Sequence, residues 1–257
     1  MMKMDWHIHS TFSDGQQSVD ELIINAERIG LESIAITDHF DINDSSLYYM
    51  RDKKEEDVLR HFEYIRDAGS RSKIEVFAGI ETGSDMNGRI FVSDRILNEA
   101  DIVICSPHYI DLDKKGRNLM DEEYWEHYKM LLLSQADNQA DVAGHPEGYL
   151  PAPGLEGTSF EERQRLRAMV AEKYLDEPFY MEYASRLKKS GKAFEIHGAS
   201  STPRKWVLEL LRDKGVSFSV GSDAHDLPLL GRNERGLELV DELNLKIKRP
   251  IGKRRFI

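Results

Sequence analysis

Residues 4–10 read MDWHIHS, a short apolar strand pattern that carries two histidines at alternate positions. Successive side chains of a β-strand point to opposite faces, so His7 and His9 share one face while Ile8 turns into the packing layer. Two imidazoles on one face can hold the same divalent ion. The stretch therefore predicts a strand over Met4–Ile8 with a metal-binding end.

Six further β-branched or apolar runs follow along the chain, and amphipathic helical stretches separate them. Strands that alternate with helices are typical of a parallel sheet built from βα units. We therefore predict an α/β fold. The other predicted strands are Ser33–Thr37, Val76–Ile80, Ile102–Ser106, Ala140–Ala143, Lys192–Ile196 and Ser217–Val220.

The first predicted helix has the clearest signals, because Ser18 and Glu21 form a capping-box pattern and Gly30 ends the helical spacing of apolar residues. Pro203 suits the first turn of a later helix. Further helices are predicted over Glu55–Ser72, Ser93–Glu99, Glu122–Asn138, Phe160–Leu175, Glu177–Ser190, Pro203–Lys214 and Arg235–Leu243. The longer loops follow strands, where (β/α) barrels place substrate contacts; they are Phe40–Lys54, Tyr109–Asp121 and Pro146–Ser159.

The composition suits one large α/β domain, with 257 residues of which 40% are hydrophobic. A formal net charge of -11 repels a phosphate backbone at long range, so we expect no nucleic-acid partner. The single Cys105 excludes an internal disulfide, and we expect it to be a small buried residue. Because no signal-peptide pattern or membrane-spanning run is present, we expect a cytoplasmic protein with no membrane partner. The basic tail Lys246–Arg255 is either a solvated terminus or a contact for phosphate or a partner.

Every predicted strand ends in a residue type that binds metals. A histidine stands at or just after the end of each run except the third, which leads into Glu81. Strand C-termini of a parallel barrel converge on one face, so these side chains would gather in one polar cup. The candidates at strand ends are His7, His9, Asp38, His39, Glu81, His108, His145, His197, Asp223 and His225.

Divalent ions would neutralise and organise such a cup, since packed imidazoles and carboxylates are costly without them. Histidine combined with Asp or Glu suits Zn, Mn or Fe, and the number of ligands is enough for two or three ions that share a bridging carboxylate. Asp223 and His225 repeat the alternate spacing of His7 and His9. We expect Gly221, just before them, to let the backbone approach the ions closely.

Other polar residues have competing interpretations. His61 and His127 lie within helical patterns away from any strand end, so we expect each to be an exposed or core histidine. His197 either binds a metal or lines the substrate pocket with the loop that follows it. Asp38 is either a ligand or a residue that orients His39.

Taken in order, the strand ends resemble the motifs of the PHP (polymerase and histidinol phosphatase) family. The resemblance runs from Met4 to about Gly231. The motifs that carry it are His7-Ile8-His9-Ser10, Ser13-Asp14-Gly15, Thr37-Asp38-His39, Gly79-Ile80-Glu81, Ser106-Pro107-His108, Gly144-His145 and Gly221-Ser222-Asp223-Ala224-His225.

The resemblance implies a distorted, TIM-like (β/α)7 barrel as a single domain over residues 1–257, with a trinuclear metal centre at its C-terminal face. It places His7, His9, Glu81 and Asp223 on one ion, Asp14, His39 and His225 on a second, and Glu81, His108 and His145 on a third. Glu81 would then bridge two ions. The histidinol-phosphatase branch often carries His where this chain has Asp14, a harder donor, so Mn or Fe is expected as much as Zn.

The same resemblance implies phosphoester hydrolysis by a hydroxide generated on the ions, with Asp223, Glu81 and His225 as catalytic residues. Arg204 resembles the family's phosphate-binding arginine; the alternative is a surface charge at a helix start. Arg204 and His197 are thus the expected substrate contacts. A small phosphomonoester, histidinol phosphate first, is the expected substrate. The alternatives are a nucleotide or short-oligonucleotide phosphoesterase and a non-catalytic regulatory module that binds metal.

Overall fold

Seven parallel strands lie side by side in sequence order in one sheet. The computed structural model describes residues 3–42, 53–108, 110, 112, 117–148, 150 and 153–251, so parts of all three predicted long loops lie outside the described residues. The strands are β1 (Met4–Ile8), β2 (Ser33–Ile36), β3 (Glu75–Thr82), β4 (Ile102–Cys105), β5 (Val142–Ala143), β6 (Ala193–His197) and β7 (Ser217–Gly221). The predicted α/β class is confirmed.

The first and last strands meet, so the sheet is a nearly closed barrel. Ile8 and Ala224 form a parallel bridge. The N–H of His9 donates to the carbonyl of Ala224 at 2.9 Å, and the N–H of Asp223 donates to the carbonyl of His7 at 2.9 Å. This closure confirms the TIM-like architecture and brings the C-terminal ends of β1 and β7 side by side at the mouth.

Helices connect the strands on the outside of the barrel. Ser18 caps the first one in a reciprocal capping box with Glu21, and Gly30 at φ 80° ends it, as the sequence predicts. In the described ranges the helices are α1 (Val19–Ile29), α2 (Glu55–Ser70), α3 (Asp94–Glu99), α4 (Glu122–Ala136), α5 (Phe160–Tyr174), α6 (Glu177–Ser190), α7 (Lys205–Asp213) and α8 (Glu234–Glu242). No helix in these ranges combines the length and the apolar composition needed to cross a bilayer.

The start of α7 differs from the prediction. Pro203 lies before the helix instead of in its first turn, because Arg204 is held in a non-helical conformation at the N-cap position. The backbone N–H of Arg204 donates to Glu147 Oε2 at 3.0 Å, so a contact from another strand end fixes this boundary.

Within the described residues, the core consists of two apolar clusters built from strands and helices. One includes Trp125 and Phe194, and the other includes Ile34 and Phe62. Cys105 is buried, as predicted.

The described part of the basic tail lies along the N-terminal end of the barrel. Phe218 at the start of β7 donates its N–H to the carbonyl of Lys246 and accepts from the N–H of Lys248, both at 2.8 Å. Arg249 forms an ion pair with Glu75. The backbone of the tail is therefore anchored at Lys246 and Lys248, while the Arg249 side chain is 49% exposed and residues 252–257 lie outside the described residues.

Candidate metal centre

Glu81 stands at the centre of the barrel's C-terminal mouth, where the strand-end side chains converge. It is buried inside β3, which runs further than predicted. Its Oε2 atom lies 3.0 Å from His39 Nδ1, 3.2 Å from His7 Nε2 and 3.4 Å from His9 Nε2. One carboxylate oxygen therefore faces three imidazoles.

The other oxygen of Glu81 faces a separate group. Its Oε1 atom lies 2.9 Å from His145 Nε2 and 3.4 Å from His108 Nε2, and it accepts a hydrogen bond from the hydroxyl of Ser106. A carboxylate whose two oxygens point at different sets of donors has the arrangement that a bridging ligand needs.

Among the residues that the structure describes, donor atoms within 4.8 Å of one another form three overlapping groups at the mouth. The first has the same members as the first implied ligand set. The second adds His9 to its implied set, and the third contains His39 where the resemblance implies His145. The groups are His7, His9, Glu81 and Asp223; His9, Asp14, His39 and His225; and His39, Glu81 and His108.

Several ring nitrogens in the cup are buried without a hydrogen bond to any part of the chain that the structure describes. They are His7 Nε2, both ring nitrogens of His9, and His145 Nδ1. Buried polar atoms normally have a partner, so unpartnered nitrogens gathered around carboxylates are typical of a cation-binding site. Imidazoles with carboxylates are the donors that Zn, Mn and Fe accept in proteins, and the cup therefore fits such ions.

The pKa shifts differ from one histidine of the cup to another. Burial and the neighbouring His39 lower the pKa of His9 to about 4, so this ring is neutral at pH 7. Burial would raise the pKa of Glu81, but His7, His39 and His108 hold it well below its usual range. Burial would lower the pKa of His7 and of His225, but neighbouring carboxylates raise it, well above the usual range for His7 and to about 9 for His225. These two rings must therefore release a proton to coordinate a cation, whereas His9 and Glu81 already have the form that binds one.

The backbone is strained at two of the candidate ligands. His145 has φ 27° and Asp223 has φ 57°, both in the left-handed region. Such conformations cost of the order of 1–3 kcal/mol in non-glycine residues and cluster at functional sites. Gly221 is required by packing, because a Cβ there would lie 2.3 Å from His7 Cβ and 2.7 Å from Glu195 Oε1. It makes room for these two side chains, and its predicted closeness to bound ions stays a prediction.

Glu195 is a site residue that the sequence reasoning missed. It is buried in the middle of β6, where Oε1 lies 2.7 Å from His7 Nδ1 and Oε2 accepts from the N–H of His145 at 2.7 Å. This carboxylate turns the Nε2 atom of His7 toward Glu81. The available signal is an acid inside an apolar strand run, two residues before His197.

Asp38 lies behind the cup and holds the loop that carries Asp14. Its carboxylate accepts from the N–H and the hydroxyl of Ser10, both at 2.7 Å, and from the hydroxyl of Ser13 at 2.6 Å. It also lies 2.7 Å from Nε2 of His61, which is buried on α2. His61 is therefore a core histidine, which is one of the two expected alternatives.

The two predicted substrate contacts have protein partners. Arg204 donates from its guanidinium to Glu147 Oε1 at 2.6 and 3.0 Å and to Glu172 at 3.1 Å. Together with Arg167, Glu147 and Arg204 line a cavity of about 220 Å³. His197 is fully buried, and its Nε2 atom lies 3.2 Å from Asp223 Oδ2.

Comparison with known proteins identifies the family. The PHP domain model matches residues 5–196. A "probable histidinol-phosphatase" of Thermotoga maritima is 26% identical over 237 residues, which cover 89% of this chain and 87% of that one. A "probable phosphatase" of Caldicellulosiruptor bescii is 24% identical over 246 residues, 94% of this chain and 87% of that one. The crystal structure of histidinol phosphate phosphatase from Lactococcus lactis, complexed with zinc, L-histidinol and phosphate, has a TM-score of 0.67 and 18% identity, and covers 98% of this chain and 97% of that chain. The chain belongs to the PHP domain family.

Proposed function

We propose that this protein is a metal-dependent phosphatase that hydrolyses a small phosphomonoester, with histidinol phosphate as the leading substrate. The observation that carries the proposal is the position of the Glu81 carboxylate, whose two oxygens face two different groups of histidines. Each group includes a histidine with a buried ring nitrogen that has no hydrogen-bond partner in the described chain. The Thermotoga maritima and Lactococcus lactis relatives support the choice of substrate.

Two or three divalent ions would occupy the cup. Ions bound there would supply positive charge for the phosphate oxygens and would lower the pKa of a bound water. Glu81 and Asp223 offset part of that charge and hold the neighbouring imidazoles in place. The candidate ions are Zn, Mn and Fe, because this mixture of imidazoles and carboxylates suits them. The proposed ligands are His7, His9, Asp14, His39, Glu81, His108, His145, Asp223 and His225.

The substrate approaches from the side of His225 and His108, because these rings are more exposed than the other histidines of the cup. Their side chains are 31% and 26% exposed, whereas those of His7 and His9 are fully buried. Asp223, Glu81 and His225 are the proposed catalytic residues. Arg204 remains the proposed phosphate contact. The phosphate would compete with the Glu147 carboxylate for the guanidinium of Arg204.

A panel of phosphoesters assayed together with metal analysis of the same sample tests the proposal. We expect phosphate release from histidinol phosphate, its loss after chelation, and its recovery when Zn, Mn or Fe is restored. Full activity of metal-free protein would reject the proposal. Release only from phosphorylated nucleotides would favour the nucleotide phosphoesterase, and bound metal with no hydrolysis would favour the regulatory module. A cytoplasmic location and a place in histidine biosynthesis follow from the proposal as predictions.

A further inference from the structure

His197 is the last residue of β6, and its ring is fully buried between Asp223 and the loop that follows the strand. Nε2 lies 3.2 Å from Asp223 Oδ2. The other oxygen of this carboxylate, Oδ1, lies 3.1 Å from His9 Nε2 and 3.6 Å from His7 Nε2. Asp223 therefore presents one oxygen to the proposed metal centre and the other to His197.

The contacts of His197 fix where its proton sits. The backbone N–H of Ser200 donates to Nδ1 at 3.3 Å, and an N–H has no lone pair with which to accept. Nδ1 must therefore be the unprotonated nitrogen, and the ring carries its hydrogen on Nε2. That hydrogen faces Asp223 Oδ2, an ionised oxygen that only accepts.

The loop after β6 is built to hold this tautomer. His197 and Thr202 exchange two backbone hydrogen bonds, at 2.9 and 3.2 Å, which fold the loop back onto the strand end. The Ser200 hydroxyl lies 2.6 Å from Nδ1 and 2.7 Å from the hydroxyl of Thr202. Gly148 leaves space for this arrangement, because a Cβ there would lie 3.0 Å from Nδ1 and 3.1 Å from Ser200 Oγ.

We propose that His197 is a positioning residue, which donates its Nε2–H to Asp223 Oδ2 and thereby keeps Oδ1 turned toward His7 and His9. A nitrogen that carries a hydrogen has no lone pair for a cation, so His197 is not a ligand in this arrangement. The burial of the ring also removes it from direct contact with substrate. This role rests on the proposed function, because it acts through the metal centre.

Two substitutions distinguish the roles of the two ring nitrogens of His197. In His197→Gln the longer amide places an N–H near the position of Nε2, whereas in His197→Asn the shorter amide reaches only the position of Nδ1. We expect kcat with histidinol phosphate to fall less than about tenfold in H197Q and about 10–100-fold in H197N, the range typical for residues that support a metal ligand. KM should change less than about threefold in both, since the ring does not touch substrate.

His127→Gln is the matched control. It makes the same change at a histidine on α4 whose Nδ1 contacts the carbonyl of Glu123, away from the cup, so we expect its kcat to stay within about threefold of the wild type. Metal content by elemental analysis should be lower in H197N than in H197Q. Equal losses of kcat and metal in H197Q and H197N would overturn the proposal.

Nitrogen-15 NMR of the wild-type, metal-loaded protein with labelled histidine tests the tautomer without any substitution, and so applies even where a variant fails to fold. A ring with a hydrogen on Nε2 and none on Nδ1 supports the proposal. A hydrogen on Nδ1, or a metal-bound Nε2, overturns it. If the wild type releases no phosphate from any ester, the proposed function fails, while the NMR spectrum and the metal contents still decide the role of His197.

Discussion

At the N-terminal end of the barrel, Asp101 and Asp141 each precede a strand and accept a hydrogen bond from the backbone of the strand beside it. The N–H of Ala78 donates to Asp101 Oδ2 at 2.8 Å, and the N–H of Val103 donates to Asp141 Oδ2 at 3.1 Å. At the C-terminal mouth, Glu81 and Asp223 instead face imidazole nitrogens that include unpartnered ones.

This difference separates carboxylates that stabilise the barrel from carboxylates that serve its function. At the N-terminal end the acids accept backbone hydrogens and pair with Arg66 or Lys248, so their binding capacity is used within the fold. At the mouth the acids are packed among groups that only a cation would satisfy together. We therefore expect substitutions at the mouth to reduce activity more than stability, and those at the other end to do the reverse.

Glu81→Gln should give the largest effect on activity. The amide keeps the size of the side chain but loses the charge and one of the two acceptor oxygens between the imidazole groups. We expect kcat to fall about 10³-fold or more, beyond the 10–100-fold typical for groups that only support a ligand. Steady-state rates and metal content measure the effect. A kcat within tenfold of the wild type would remove Glu81 from the centre of the site.

Glu195→Gln should give the next largest effect. The amide can still accept from the N–H of His145, but it no longer places an anionic acceptor opposite His7 Nδ1. We expect a 10–100-fold loss of kcat or of metal affinity, measured by rates and by competition with a chelator. If the variant instead loses stability and keeps both properties, Glu195 belongs with the acids of the N-terminal end.

Asp101→Asn tests that opposite end. Asp101 accepts from Ala78 and pairs with Arg66 at 3.0 Å, and its side chain is 4% exposed. Loss of the charge should lower the free energy of unfolding by about 1–3 kcal/mol and leave kcat unchanged. Urea unfolding and steady-state rates measure the two quantities. Asp67→Asn, at an exposed position on α2, is the control and should leave the unfolding midpoint unchanged.

Local signals explain which parts of the fold could be predicted. The bounds of β1 and α6 agree with the sequence prediction, because alternation, caps and a closing glycine are all visible within a few residues. The position of the cup also follows from the strand ends, since every parallel strand points its end to the same face.

Contacts between distant residues explain what could not be predicted. His7 and Glu195 are 188 residues apart, and no local pattern pairs them. The start of α7 has the same cause, since Pro203 is a favourable local signal that the contact between Arg204 and Glu147 overrides. Sequence patterns locate the end of a strand, but they do not show which side chain of another strand will meet it.

Asp141→Asn should give the smallest effect. It tests whether the stability contributed by an acid at the N-terminal end depends on its burial. Its side chain is 38% exposed, and the Nζ atom of Lys248 lies 3.7 Å away. We expect a loss below about 1 kcal/mol, because exposed ion pairs contribute little. High salt should shrink this loss further, since water and ions reach the pair, whereas the larger loss in Asp101→Asn should persist. Urea unfolding of both variants at low and high salt measures the contrast. A loss as large as that of Asp101→Asn would mean that the backbone hydrogen bond, which both acids make, determines their contribution and that burial does not.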